Sequence, residues 1–325
     1  MLISLIAIKN CKKNVSLEKT ASESNTIDSL LNQANDLLFN EPLNACKFLK
    51  EALPRVSEKK DQIRVQTLLA KAFFLSSQYD SATVCCEQSI DFCLKEKNKT
   101  PQIHSLLTDN YNILGNKFGR VSDNSQAIHY YLEAFEHCKR SDKQRSLPDI
   151  CTNIADTYIR TGDFVNGVKF YRTALHYADS LKLPEEDCSF IYHGLGHAYT
   201  ELHDYELADK FYRQTEAFLG QMDIHEKFVY LNNRGLYYYT IKDYPNSMKY
   251  HKQAFITVKD SPDYLFEQNL SKTNLAELYL LNNPRFCPNL FRRSPRLFPF
   301  HQTDIGVIVY PDTRAGISYL AKGLG

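Results

Sequence analysis

Residues 191–215 read IYHGLGHAYTELHDYELADKFYRQT. Gly196 is followed three positions later by Tyr199, and twelve positions after Gly196 comes a second small residue, Ala208. Tyr212 stands four beyond Ala208, and Thr215 three beyond Tyr212. On a helix those intervals place Ala208, Tyr212 and Thr215 on one face. Two antiparallel helices approach closely only where side chains are small, and a ring from the neighbour then fills the gap. Between the two segments lies His203-Asp204-Tyr205, in which the Asp carboxylate can accept a hydrogen bond from the amides that open the next helix. The stretch predicts a helix, a tight turn and a second helix packed back on the first.

The same signature recurs along the chain. The small residue with its aromatic or Leu appears as Ala34/Leu37, Ala70/Phe73, Gly115/Phe118, Ala155/Tyr158, Gly196/Tyr199, Gly235/Tyr238 and Ala276/Tyr279, in steps of 36, 45, 40, 41, 39 and 41 residues. The second-helix set appears as Ala82/Cys86/Ser89, Ala127/Tyr131/Ala134, Gly167/Tyr171/Ala174, Ala208/Tyr212/Thr215 and Ser247/His251/Ala254, with Ala45 one step early in the first unit. Gly162-Asp163-Phe164 and Lys242-Asp243-Tyr244 repeat the turn. A fixed period of this kind marks a repeat architecture, which overrides any domain count taken from length.

In combination these residues resemble the tetratricopeptide repeat (TPR), and the resemblance covers roughly 28–283. The fold it implies is all-α, a right-handed α-solenoid of about seven TPR-like helix pairs. The period averages near 40 rather than the usual 34, and Trp is absent. Longer periods resemble the repeats of kinesin light chains and of bacterial Rap-type peptide-sensing regulators.

Composition agrees with a folded helical chain: 43% hydrophobic and 24% charged residues supply a core, and 12 Gly with 12 Pro are too few for a turn-dense β architecture. Thirty-nine basic against 38 acidic residues create no global pull toward nucleic acid or an anionic membrane, so no nucleic-acid contact is expected of this region. Nine cysteines, mostly within helical patterns and without C-x-x-C spacing, read as small core residues. Residues 1–27 carry an apolar run, Leu2 to Ile8, that is too short to span a bilayer and lacks a cleavage site. It reads as a truncated signal or a frayed terminus, which leaves a cytoplasmic and a periplasmic location both open. Past Asn283 the pattern stops. Residues 284–299 (PRFCPNLFRRSPRLFP) hold four prolines, which no helix interior tolerates. An irregular tail over 284–325 is expected, either a genuine Pro/Arg-rich segment or the product of a shifted reading frame.

Solenoids bind extended ligands on the surface lined by the first helix of each pair. Two residues before the small position stands Asn in four units: Asn32, Asn153, Asn233 and Asn274. A carboxamide donates and accepts at once, so it can hold a peptide backbone whatever its sequence, or else bridge neighbouring helices. With Asn116, Asp156, His193 and His197, these form the candidate peptide-binding set. The Lys/Arg pairs of a carboxylate clamp are missing, which suits a weakly charged peptide. His193 and His197 lie one helical turn apart without the Glu of H-E-x-x-H or a third ligand, so groove lining is expected over metal binding. No phosphate loop, nucleophile elbow or dinucleotide fingerprint occurs, so neither enzyme activity nor a cofactor is expected. The expected function is a protein- or peptide-binding scaffold. The alternative is the sensor portion of a regulator, because the chain resembles the N-terminal TPR half of Bacteroidetes-type proteins that continue into a membrane helix and a LuxR-type DNA-binding domain. A Rap-like receptor would need an N-terminal three-helix bundle, for which some 27 residues leave no room.

Overall fold

The computed structural model describes residues 27–38 and 40–282. The expectations for the N-terminal apolar run and for the tail from 284 lie outside these residues. The described chain is helical, without strands. Residues 27–38 form α1. There follow α2 (Pro42–Ala52), α3 (Lys59–Leu75), α4 (Tyr79–Lys95), α5 (Pro101–Arg120), α6 (Asn124–Cys138), α7 (Leu147–Arg160), α8 (Phe164–Ser180), α9 (Ser189–Glu201), α10 (Tyr205–Glu216), α11 (Ile224–Thr240), α12 (Tyr244–Val258) and α13 (Leu265–Asn282). Six helix pairs and the first helix of a seventh are thus described, which is the all-α, solenoid-type architecture the repeat predicts. The chain divides into two compact units, one of residues up to 117 with 136–142, the other of 118–135 with residues from 143 onward.

In the first unit, α3 and α4 bury Ala70, Ala82, Cys86 and Ser89 together, and Ile63, Cys93, Ile103 and Leu107 form a core that continues onto α5. Asn110 on α5 donates to Thr67 Oγ1 on α3 at 2.9 Å, a buried polar bridge between successive first helices. The second unit has the larger core. It runs without interruption from Cys151 on α7 to Val258 on α12.

Every small and large position of the second-helix set is buried. A Cβ placed on Gly196 would stand 2.9 Å from the Tyr212 ring, and one on Gly235 2.8 Å from the His251 ring; one on Gly194 would overlap Tyr171. The glycines are therefore spaces that rings occupy. Glycine inside a helix costs about 1 kcal/mol relative to Ala. Burying a ring of 150–250 Å2 is worth roughly 4–6 kcal/mol at 25 cal/mol per Å2, so the ring decides the residue. The aromatic three positions after the small residue also stacks on the residue twelve further along the chain: Phe118 on Tyr130, Tyr158 on Phe170, Tyr199 on Phe211 and Tyr238 on Tyr250, with centroids 5.3–5.7 Å apart and planes within 24°.

The turns repeat as closely as the faces. Ser77, Ser122, Gly162, His203 and Lys242 have φ between 61° and 78°, the left-handed conformation that ends a helix. The next residue's amide bonds back to the carbonyl of Phe73, Phe118, Tyr158, Tyr199 or Tyr238 at 2.8–3.0 Å. Asp123, Asp163, Asp204 and Asp243 then cap the following helix, each carboxylate accepting the amide three residues on at 3.1–3.2 Å. A non-glycine residue in the left-handed region costs about 1–2 kcal/mol and an N-cap returns about 1 kcal/mol, so the turn is held by its capping. Asp204→Ala is expected to lower unfolding free energy by about 1 kcal/mol, and His203→Gly to raise it by about 1 kcal/mol. Urea denaturation of both variants checks this, and equal midpoints for the two would contradict the turn geometry.

Candidate functional site

The first helices place the candidate residues as follows. In the first unit, Asn32 is exposed on α1 and Asn116 is buried on α5. In the second unit, α7 carries half-buried Asn153 and buried Asp156; α9 carries half-buried His193 and buried His197; α11 and α13 carry buried Asn233 and Asn274. The structure joins several of these across helices. Asn233 Nδ2 lies 3.0 Å from His193 Nε2, linking α11 to α9. Asn274 Nδ2 donates to Asn232 Oδ1 at 2.9 Å and lies 3.4 Å from His251 Nδ1, linking α13 to α11 and α12. The asparagines at these two positions therefore bridge neighbouring helices. Tyr171 donates to the Asp156 carboxylate. His197 Nε2 is 3.7 Å from Glu201 Oε1, and its Nδ1, although buried, has no partner.

Burial sets the charge state of this row. It lowers His193 to about 3, with neighbouring His197 adding to the effect, and lowers His197 and His251 each to about 4. It raises the Asp156 carboxyl to about 7, against the opposing hydrogen bond from Tyr171 and the charge of Arg160. The row is thus made of neutral rings, amides and a carboxyl poised near neutrality. Among the described residues no three His, Cys, Asp or Glu side chains come together as a metal would need, and no helix is long and apolar enough to cross a membrane. Of the cysteines, Cys46, Cys86, Cys93, Cys138, Cys151 and Cys188 are buried and Cys85 half-buried, all as free thiols.

The sequence reading missed Arg234. Its side chain is 2% exposed, pairs with Asp209 at 2.5 Å and lies 4.7–5.1 Å from the ring centroids of Tyr212, Tyr237 and Tyr238. A guanidinium over three aromatic faces and against one carboxylate is a buried cation with compensation from both. The available signal was a charged residue directly before the small Gly235, where the helix face is otherwise apolar.

The fold and its repeated faces define a TPR-type α-solenoid. A tetratricopeptide-repeat family model matches residues 148–179 and 191–214, so the chain contains tetratricopeptide repeats there. No curated protein sequence matches it. Among solved structures it is similar to a signal transduction ATPase with numerous domains carrying a tetratricopeptide repeat sensor, from Pyrococcus horikoshii, at 17% identity and TM-score 0.62 over 79% of this chain and 38% of that one. It is also similar to a Rap protein complexed with Competence and Sporulation Factor (15%, TM-score 0.58, 81% and 73% of the two chains) and to apo RapI (11%, 0.57, 78% and 97%). At these identities the likeness is one of fold.

The titrations carry opposite signs. The depressed histidines let the unfolded chain take up protons that the folded chain refuses, so their stabilisation is complete above about pH 6.5 and is lost as pH falls toward 4. Asp156 keeps its proton in the fold, so its contribution is present below about pH 4 and is lost as pH rises through about 7. His251→Gln should flatten the acid-side fall in urea midpoint, and Asp156→Asn should stabilise more at pH 8 than at pH 5. Parallel pH profiles for wild type and both variants would refute the assignment.

Proposed function

We propose that the chain is a non-catalytic protein- or peptide-binding scaffold, and that the first helices of the second unit present Asn153, Asp156, His193, His197, Asn233 and Asn274 to an extended, weakly charged ligand, while Asn32 and Asn116 belong to the first unit. The observation that carries this is the polar row on α7, α9, α11 and α13, where burial holds the histidines neutral and His197 Nδ1 has no partner. A neutral row recognises backbone amides by donor and acceptor, and attracts no particular charge. Asn233 and Asn274 act in it by fixing the spacing of the helices, and His197, whose Nδ1 has no partner, has most to offer a ligand. The similarity to a Rap protein complexed with Competence and Sporulation Factor is consistent with a peptide ligand.

A second reading makes the repeats the sensor part of a TPR-containing transcriptional regulator. The repeat-sensor ATPase favours it, since there the matched region is 38% of a longer chain. In both readings the repeats do the binding.

Selection from a displayed peptide library on the full chain, followed by titration of the selected peptide, tests the proposal. Asn153→Ala and His197→Gln should each weaken binding at least about ten-fold, with melting curves confirming that both variants remain folded. A Kd that changes less than roughly two-fold between low and high salt is expected of an uncharged row. Binding that survives both substitutions, or collapses in salt, would discard it.

A further inference from the structure

One joint of the second unit is built differently from its neighbours. From the second pair to the seventh, the residue directly before the small position of the first helix is Leu69, Leu114, Ile154, Leu195 and Leu275, with the exception of Arg234 on α11. Directly after the small position of the second helix, this unit has Ile128, Val168 and Met248, with the exception of Asp209 on α10. The two exceptions meet. Arg234 Nη2 lies 2.5 Å from Asp209 Oδ1 and donates to the Tyr238 hydroxyl at 3.2 Å. Asp209 is also paired with the exposed Arg213 at 2.6 Å. Leu69, Leu114, Ile154 and Leu195 are buried as Arg234 is, so the guanidinium occupies a place that elsewhere takes an aliphatic chain. Desolvation works against its charge, but the hydrogen bond to Asp209 outweighs it and holds the guanidinium above its ordinary range. Its Nε and Nη1 find no hydrogen-bond partner among the described residues, and the group lies against tyrosine rings instead.

A buried ion pair is a poor way to add stability, because desolvation offsets the attraction and apolar residues of similar volume often serve as well. What it adds is direction. An apolar pair tolerates sliding and rotation, and in a chain of similar repeats it also tolerates the wrong neighbour, whereas a guanidinium in the wrong place is an unpaired buried charge. We propose that Arg234 and Asp209 form a register key that fixes α11 against α10 and thereby sets Asn232 and Asn233, the two residues before Arg234, on their partners. Asn233 Nδ2 lies 3.0 Å from His193 Nε2, and Asn232 Oδ1 accepts from Asn274 at 2.9 Å. Successive residues of a helix are turned about 100° from one another, so rotation of α11 by even part of that angle takes both amides out of hydrogen-bond reach. Arg234 is thus a positioning residue that acts through the two asparagines. The key works by helix packing alone, whether or not the polar row binds a ligand.

The test gives this joint, in the full chain, the residues found at the equivalent positions Leu195 and Val168: Arg234→Leu together with Asp209→Val. Each change alone should lower the urea midpoint, Asp209→Val more so, because it strands a buried guanidinium while Arg234→Leu leaves Asp209 with Arg213. The double variant should unfold at a midpoint equal to or above that of wild type. In it the side-chain amide protons of Asn233, followed by NMR after selective labelling of asparagine, should exchange at least about ten-fold faster than in wild type. Arg213→Ala removes only an exposed partner of Asp209 and should leave both midpoint and exchange unchanged. A double variant clearly less stable than wild type would make the pair a plain stabiliser, and an Asn233 amide as protected in the double variant as in wild type would remove its positioning role; either result overturns the proposal.

Discussion

A ring seated where a Cβ would otherwise be is the contact on which the rest of the structure depends. Gly196 with Tyr212 and Gly235 with His251 let first and second helices approach until backbone meets side chain. The stacked pairs one turn away, Tyr199 on Phe211 and Tyr238 on Tyr250, then fix rotation about the helix axes. Because Tyr212 and His251 are shut off from solvent, a lateral slip of either helix would open a void or force an overlap, and both are costly in a packed interior. The left-handed turn residue and the Asp cap follow from the same need, since the chain has to reverse within a few residues to return the next ring to its place.

Close approach has an electrostatic consequence. First helices drawn together in this way bury the polar side chains between them, and a buried charge is tolerated only with compensation. Two solutions appear in the second unit. Arg234 stays charged against Asp209 and a set of tyrosine rings. His193, His197 and His251 instead give up their protons, and His193 and His251 serve as neutral partners for amides. The neutrality of the row is therefore a by-product of the packing that builds the repeat.

The small-and-ring spacing was plain in the amino-acid sequence because steric exclusion leaves little choice of residue: only Gly, Ala, Ser, Thr or Cys fits at the small sites. The capping Asp was legible in three of the turns because few side chains can accept the amides that open a helix. The role of the polar residues on the first helices was not legible. Asn233 and Asn274 occupy the face expected of them, yet whether a carboxamide bridges two helices or meets a ligand depends on helix separation, which spacing along one chain does not encode. Arg234 escaped notice because its compensation comes from Asp209, Tyr212 and Tyr250 on other helices. The stacking residue three after the second small position became evident only with the ring pairs in view.

The interlock is tested most directly by a double-mutant cycle at one joint, with Gly235→Ala, His251→Ala and the pair together measured by urea denaturation. If the ring fills the missing Cβ, Gly235→Ala destabilises despite its better helix propensity, and the two losses combine to clearly less than their sum because removing the ring makes room for the methyl. Strict additivity, or a Gly235→Ala variant more stable than the parent, would contradict the account.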